Sequence, residues 1–210
     1  MLVVFLLING SAFAKEIIKL PLPKTNGKMS LEEALYHRRS ERSFYNSPLS
    51  NEQIAQLLWA AQGITENTWR LRTAPSSGAI YPLELYLVNS LGVYRYLPES
   101  HSLELHLKGD KRLSLMRASL GQQFVGEAGI IVIVCADFEK SRAKYGLRAD
   151  RYVPLEGGHA AQNILLQSVA LGLGAVPVGS FWDDVVMAVI ALPYCQEPLY
   201  LIPIGYIKQT

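Results

Sequence analysis

The sequence predicts an α+β protein folded as one domain, and three observations carry that prediction. Two serine-led capping boxes, Ser30-Leu31-Glu32-Glu33 and Ser50-Asn51-Glu52-Gln53, each open a run with apolar residues at helical spacing. The run Ile130 to Ala136 is continuously apolar, as expected of a strand covered on both faces. The segment Glu156 to Gly172 has the length of a helix but is apolar almost all round, so it calls for burial on more than one side.

The chain begins with the apolar run Met1 to Ile8, then Asn9-Gly10-Ser11 and Ala12-Phe13-Ala14. Small residues at Ala12 and Ala14 fit a signal-peptidase site before Lys15, making 1–14 a signal peptide and 15–210 the mature domain, exported to the periplasm. No Lys or Arg precedes the run, and a buried first strand is the competing reading. The run is too short to cross a bilayer as a helix, so no stable membrane insertion is expected after cleavage. Helix one follows Ser30 and is marked by Leu31, Ala34 and Leu35; helix two follows Ser50 through Ile54, Leu57, Leu58 and Ala61, with Gly63 as its stop. Strands fit Leu85 to Val88 and Val93 to Tyr96, and a third helix fits Leu113, Met116, Leu120 and Phe124. After the strand at Ile130 and the apolar helix from Glu156, glycines 172 and 174 end that helix. A last strand runs from Leu199 to Ile204, bounded by Pro198 and Gly205. No linker, repeat or biased tract divides the chain. In a chain of this size, a second copy is the natural cover for the apolar helix.

Composition excludes some partners. Twenty basic residues stand against 18 acidic ones, and no basic run is interleaved with aromatics, which argues against nucleic acid. His37, His101, His106 and His159 are scattered, with no zinc-ligand spacing to cysteine. Cys135 lies inside the apolar strand and reads as an inert thiol, whereas Cys195 lies in a loop-like stretch.

Four stretches concentrate chemistry. In His37-Arg38-Arg39-Ser40-Glu41-Arg42-Ser43-Phe44, three arginines and two serines offer charge-assisted donors to a phosphate or a flat anionic ring. The plainer reading is a set of arginines complementing a helix C-terminus. Thr73-Ala74-Pro75-Ser76-Ser77-Gly78-Ala79-Ile80-Tyr81-Pro82 is a stiff loop whose backbone a ligand can approach; otherwise it is a turn feeding the next strand. The glycines of Gly172-Leu173-Gly174 follow a helix, which is the wrong context for a dinucleotide motif, but backbone N–H groups near Gly179 and Ser180 remain available to a flat cofactor. Lys144-Tyr145 places a base and an acid side by side, provided burial lowers the lysine pKa enough to leave it neutral; the plainer reading is a solvated connection.

In this order and spacing, from about Ser30 to Tyr206, the four stretches resemble the nitroreductase superfamily, specifically its SagB/ThcOx-type dehydrogenases. The resemblance implies a central, mostly antiparallel sheet flanked by helices, in a homodimer with FMN at the subunit interface. It implies that Arg38, with Arg39, holds the FMN phosphate region. Ser40 would lie along the flavin, and Arg42 near its pyrimidine edge, where a guanidinium stabilises charge developing during hydride transfer. Pro75, Ser76 and Ser77 match the loop that reaches FMN from the other subunit. Gln122 falls where a polar flavin contact is common, and Gly179 and Ser180 match the segment whose backbone N–H meets the hydride-accepting nitrogen. Lys208 is the one late basic residue available to the phosphate. Lys144 and Tyr145 match the pair that azoline-oxidising members use for proton removal, and Glu156-Gly157-Gly158-His159 with Gln162-Asn163 matches the same branch. The implied activity is ping-pong hydride transfer through flavin, to or from a small organic substrate. The alternative is a non-catalytic FMN-binding or flavin-free scaffold of the same fold.

Overall fold

The apolar run at Ile130 becomes the middle of a sheet, as its pattern requires: every residue from Ile130 to Ala136 is buried. The computed structural model describes residues 16–208; the N-terminal apolar run and the cleavage site expected before Lys15 lie outside the described residues. In chain order the elements are β1 (Ile17–Lys19), α1 (Leu31–His37), β2 (Phe44–Tyr45), α2 (Asn51–Gln62), β3 (Leu83–Val88), β4 (Gly92–Leu97) and β5 (Ser102–Lys108). There follow α3 (Arg112–Ala118), α4 (Gln123–Glu127), β6 (Ile130–Asp137), α5 (Phe138–Tyr145), α6 (Ala149–Ala170), β7 (Gly174–Ala175), α7 (Asp183–Val189) and β8 (Gln196–Ile207). Among the described residues the strands form one eight-stranded sheet in the order β1-β5-β4-β3-β6-β8-β2, with β7 also on β8. Each of these strand pairs is antiparallel, so the expected α+β architecture is the one observed.

Two apolar layers sandwich the sheet. Alternate residues of β6 divide between them: Ile130, Val132 and Val134 pack with α2 and α6, whereas Ile131, Ile133 and Cys135 pack with α3, α4 and α7. Burying each such Ile or Val is worth about 1.5–3 kcal/mol, so this one strand anchors both layers.

Both capping boxes form: the Ser30 hydroxyl accepts from Glu33 N and the Ser50 hydroxyl from Gln53 N, and each partner side chain returns to its cap. Gly63 stands at the end of α2 as expected. Four expectations change. The third helix is two, α3 and α4, because Leu120 and Gly121 adopt positive φ (58° and 75°) and break the helical path between them. The apolar helix begins at Ala149, not Glu156, and continues through Pro154 in its second turn, which has no N–H to give to Asp150 O. Lys144-Tyr145 lies in the last turn of α5, a helix capped by the Asp137 side chain, and not in a connecting loop. The last strand runs through Pro198 and Gly205 without stopping.

Helix α6 does end where glycine was expected. Gly172 has φ +71°, its N–H donates to Val169 O, and Leu173 N donates to Ser168 O, the paired bonds of a Schellman cap. Within one subunit, however, Leu31 and Leu35 of α1 and Leu155 of α6 stay exposed. A groove of about 810 Å³ runs between the segment before α1, α2 and the later turns of α6.

Candidate functional site

One edge of the sheet collects most of the residues singled out for cofactor binding. The segment after α1 is drawn onto β7: Ser40 bridges Ala175 in parallel, and Glu41 N donates to Ala175 O at 3.1 Å. This approach needs Gly174, where a Cβ would lie 2.8 Å from both Glu41 Cβ and Ile207 Cγ1. Next along the chain, β2 pairs with the end of β8, and Lys208 N donates to Ser43 O. Gln122, at the start of α4, donates through Nε2 to Ser119 O and Ser180 O, tying the 178–180 segment to the same edge. The Arg42 guanidinium lies 5.8 Å from the Phe124 ring centre and donates to Ser40 O.

The donors at this edge are open. Ser40 and Arg42 are exposed, and Arg38 is half-buried. Among the described residues, none of Arg38, Arg39 and Arg42 forms an ion pair with a carboxylate. The backbone N–H groups of Gly179 and Ser180 likewise donate to no acceptor among the described residues. Two arginines without carboxylate partners beside unpaired backbone N–H groups suit a phosphate and a flat anionic ring. Arg39 departs from that role: its Nη1 donates to the Tyr36 and Arg38 carbonyls, closing the end of α1. Lys208 also departs, since its Nζ lies 3.5 Å from Glu127 Oε2.

The second assembly forms around the loop after Arg72. Ser76 Oγ accepts from Tyr81 N at 2.8 Å, and Ser77 N donates to Glu156 Oε1 at 2.7 Å. Pro75 is exposed beside them. Gly78 has φ +61°, and a Cβ built there would collide with Tyr145 Oη and lie 2.6 Å from Lys144 Nζ. Lys144 and Tyr145, some 65 residues further along the chain, therefore rest directly on this loop. Tyr145 is held by an edge contact to Tyr152, 5.3 Å between ring centres, and Lys144 Nζ is 5.5 Å from the Tyr145 ring. Lys144 is exposed, so its own subunit does not supply the burial that a base role requests. Asn163 of α6 donates to Ala60 O of α2, bracing the helix behind the loop.

Glu156 is the residue that sequence reasoning left without a role. It is 3% exposed, a carboxylate in an apolar helix, and that mismatch was its available signal. Nothing local in the sequence hints that it holds the backbone of Ser77.

Helix α6 separates the two assemblies. Glu156 meets the loop, while the C-terminus of the helix leads into β7 and the arginine segment. From Glu156 to Ala170 the helix rises roughly 21 Å at 1.5 Å per residue. No hydrogen bond, ion pair or ring contact joins the two assemblies among the described residues.

Residues 35–206 match the nitroreductase family model. A protein of Methanocaldococcus jannaschii, named as a nitroreductase, is 38% identical over 196 residues, covering 90% of this chain and 97% of its own. A crystal structure of a nitroreductase from Ralstonia eutropha superposes with a TM-score of 0.84 at 31% identity, covering 92% of this chain and 90% of that one. The microcin B17-processing protein McbC of Escherichia coli is 32% identical over 114 residues, 49% of this chain and 42% of that protein. With this fold, this open donor edge and these matches, the chain belongs to the nitroreductase family, whose members typically use flavin cofactors.

Proposed function

We propose that the protein is an FMN-dependent dehydrogenase of the SagB/ThcOx type, acting as a homodimer on a small organic substrate that gives up a proton together with a hydride. The observation that carries this reading is the seating of Lys144 Nζ and Tyr145 Oη on the backbone at Gly78. Similarity to McbC over half of this chain supports the same branch. When bound, the flavin supplies hydride acceptance from one substrate and donation to another in ping-pong fashion.

The protein's own residues divide the remaining work. Arg38 and Ser40 bind the phosphate and side chain of the cofactor, and Arg42 offsets negative charge at the ring edge. The free N–H groups at Gly179 and Ser180 would be available to hydrogen-bond the ring when it is bound. Lys144 Nζ takes a proton from the substrate carbon, and Tyr145 Oη holds the leaving or entering proton next to it. Glu156 fixes Ser77, and with it the loop against which the pair sits.

The separation along α6 supports the homodimer reading. Two half-sites roughly 21 Å apart on one subunit become one site when a two-fold axis brings the loop of one copy to the arginine edge of the other. The exposed leucines of α1 and α6 and the open groove beside them are the surface for that contact.

The test is the absorbance spectrum and mass of the purified protein, followed by anaerobic reduction and addition of an acceptor. A yellow dimer with one FMN per subunit that cycles between oxidised and reduced forms is expected. A protein that stays colourless in FMN is a flavin-free scaffold. One that binds FMN but never cycles is a non-catalytic flavoprotein. Either result overturns the proposal.

A further inference from the structure

A second cleft, of about 260 Å³, opens between α2, the start of β3 and β4, and α5; it is lined by Gln62, Arg72, Tyr81, Glu84, Arg95 and Lys140. Its charges do not balance. Glu84 is 9% exposed and already held twice: Arg95 donates to its Oε2 through Nε and Nη2, at 3.1 and 2.9 Å, and Lys140 Nζ donates to its Oε1 at 2.8 Å. Glu104 faces Arg95 across the β4–β5 pair, and at the rim Glu99 is paired with Arg70. Arg72 is left over. Its Nη1 donates to the neutral Gln62 side chain at 3.0 Å, and its Nε is buried with no hydrogen-bond partner. Among the described residues it makes no ion pair.

The fold goes to some length to keep Arg72 there. Tyr81 adopts φ 52°, strained for a bulky side chain, and in that conformation its ring lies 4.7 Å under the guanidinium and its hydroxyl accepts from Arg72 N. A half-buried guanidinium with no carboxylate bonded to it, the Glu84 charge acting on it only at a distance, gains from an anion that completes it. Burial also pulls Arg72 below the ordinary guanidinium range, against the opposing pull of the Glu84 carboxylate.

We propose that this cleft binds a small oxyanion, phosphate or carboxylate, on the fork of Arg72. The cleft volume admits such a group, and a planar guanidinium matches either anion with two parallel hydrogen bonds. The site is distinct from the arginine edge described above, and it does not depend on the flavin reading. It does connect with the loop: Arg72 N donates to Tyr81 Oη, and Tyr81 N donates to Ser76 Oγ. An occupant would therefore sit at the far end of the segment that seats Lys144 and Tyr145.

The experiment is calorimetric titration of the purified full chain with sodium phosphate and, separately, sodium acetate, at constant ionic strength, with and without excess FMN. With excess FMN present to occupy the arginine edge, saturable binding of at least one anion is expected to persist, and to be about ten- to a hundredfold weaker in Arg72→Gln, as for loss of a charge-assisted bond. Arg70→Gln, at the rim, should bind as the wild type does. Phosphate without acetate, or the reverse, identifies the class of occupant. Should Arg72→Gln not fold, Arg72→Lys keeps the charge, loses the fork, and is expected to bind more weakly. Absence of saturable binding by the wild type up to about 10 mM of either anion overturns the proposal. So does abolition of binding by FMN, or equal binding by the Arg72 variants.

Discussion

Replacing Gly78 by alanine tests the contact between the loop and the base–acid pair. The residue has φ +61°, and an L-residue there costs about 1–2 kcal/mol whatever surrounds it. The added Cβ also runs into Tyr145 Oη and comes within 2.6 Å of Lys144 Nζ. The lysine end is flexible and can yield, but the tyrosine ring is braced by Tyr152 and cannot swing freely. Crowding of that kind costs about 1–3 kcal/mol. Gly78→Ala should therefore lower the unfolding midpoint by roughly 2–4 °C for each kcal/mol in a chain of this size. Tyr145→Phe removes the hydroxyl that the Cβ meets. In the Tyr145→Phe background the same glycine substitution should lose the crowding part and keep the backbone part. Urea denaturation of the wild type, both single variants and the double variant measures the difference directly. A cycle additive to within about 0.5 kcal/mol would show that Tyr145 does not rest on Gly78, and the catalytic reading of the pair would lose its geometry.

Lys144→Ala and Tyr145→Phe should retain FMN yet lose about 100- to 10,000-fold in turnover of substrates that release a proton with the hydride, with little loss on quinone acceptors; wild-type turnover on both substrate types would return the pair to a surface role. Arg38→Ala should weaken FMN retention about 10- to 100-fold, while Arg42→Ala should mainly impair flavin reduction; fluorescence titration together with the reduction potential separates the two. Arg112 is buried and donates to Ala128 O at 2.8 Å, to Asn46 and to Asp110, so Arg112→Ala should cost about 1–3 kcal/mol through the buried carbonyl alone, read by urea denaturation. Hydrogen bonds from Arg112 hold Asp110 below the usual carboxylate range, so that part of the stability is present above the ordinary Asp value and is lost as pH falls through the lowered one. A denaturation series in acid should therefore be flatter for Arg112→Ala than for the wild type.

Elements with strong local signals were legible in the sequence. The capping boxes fixed the starts of α1 and α2, and the apolar run fixed β6, because each signal lies within a few residues. Strands β1, β2 and β7 have two or three residues each, and no periodicity can show at that length. Strand β5 is different: Leu103, Leu105 and Leu107 alternate with polar residues, so its signal was present in the sequence and went unread. Helix α5 buries little beyond Phe138 and Ser141, which leaves a charged surface helix with no apolar stripe to read. At the site, the order of the motifs singled out separate stretches but said nothing of their grouping in space. That Lys144-Tyr145 meets Gly78 and that Glu156 holds Ser77 depend on chain segments far apart in sequence, whereas the closing of α1 by Arg39 is local.

Strand β8, the last element of the chain, bonds on one side to β6 and elsewhere along its length to β7 and β2, and Leu201 exchanges hydrogen bonds with Val178. During synthesis, β6 can pair with β3 early, but its other edge stays open until residue 207 has been made. At about 5–20 residues per second, that interval is roughly 4–14 s. For that time a strand apolar from Ile130 to Ala136 presents unpaired backbone to its surroundings, the condition under which nascent chains stick to one another. The arginine segment, made first, has no β7 or β8 to dock against until the end. Translation speed between residues 137 and 207 should thus govern the soluble yield of this protein, and the edge where the 38–42 segment meets β7 and β8 should mature only once β8 has been made.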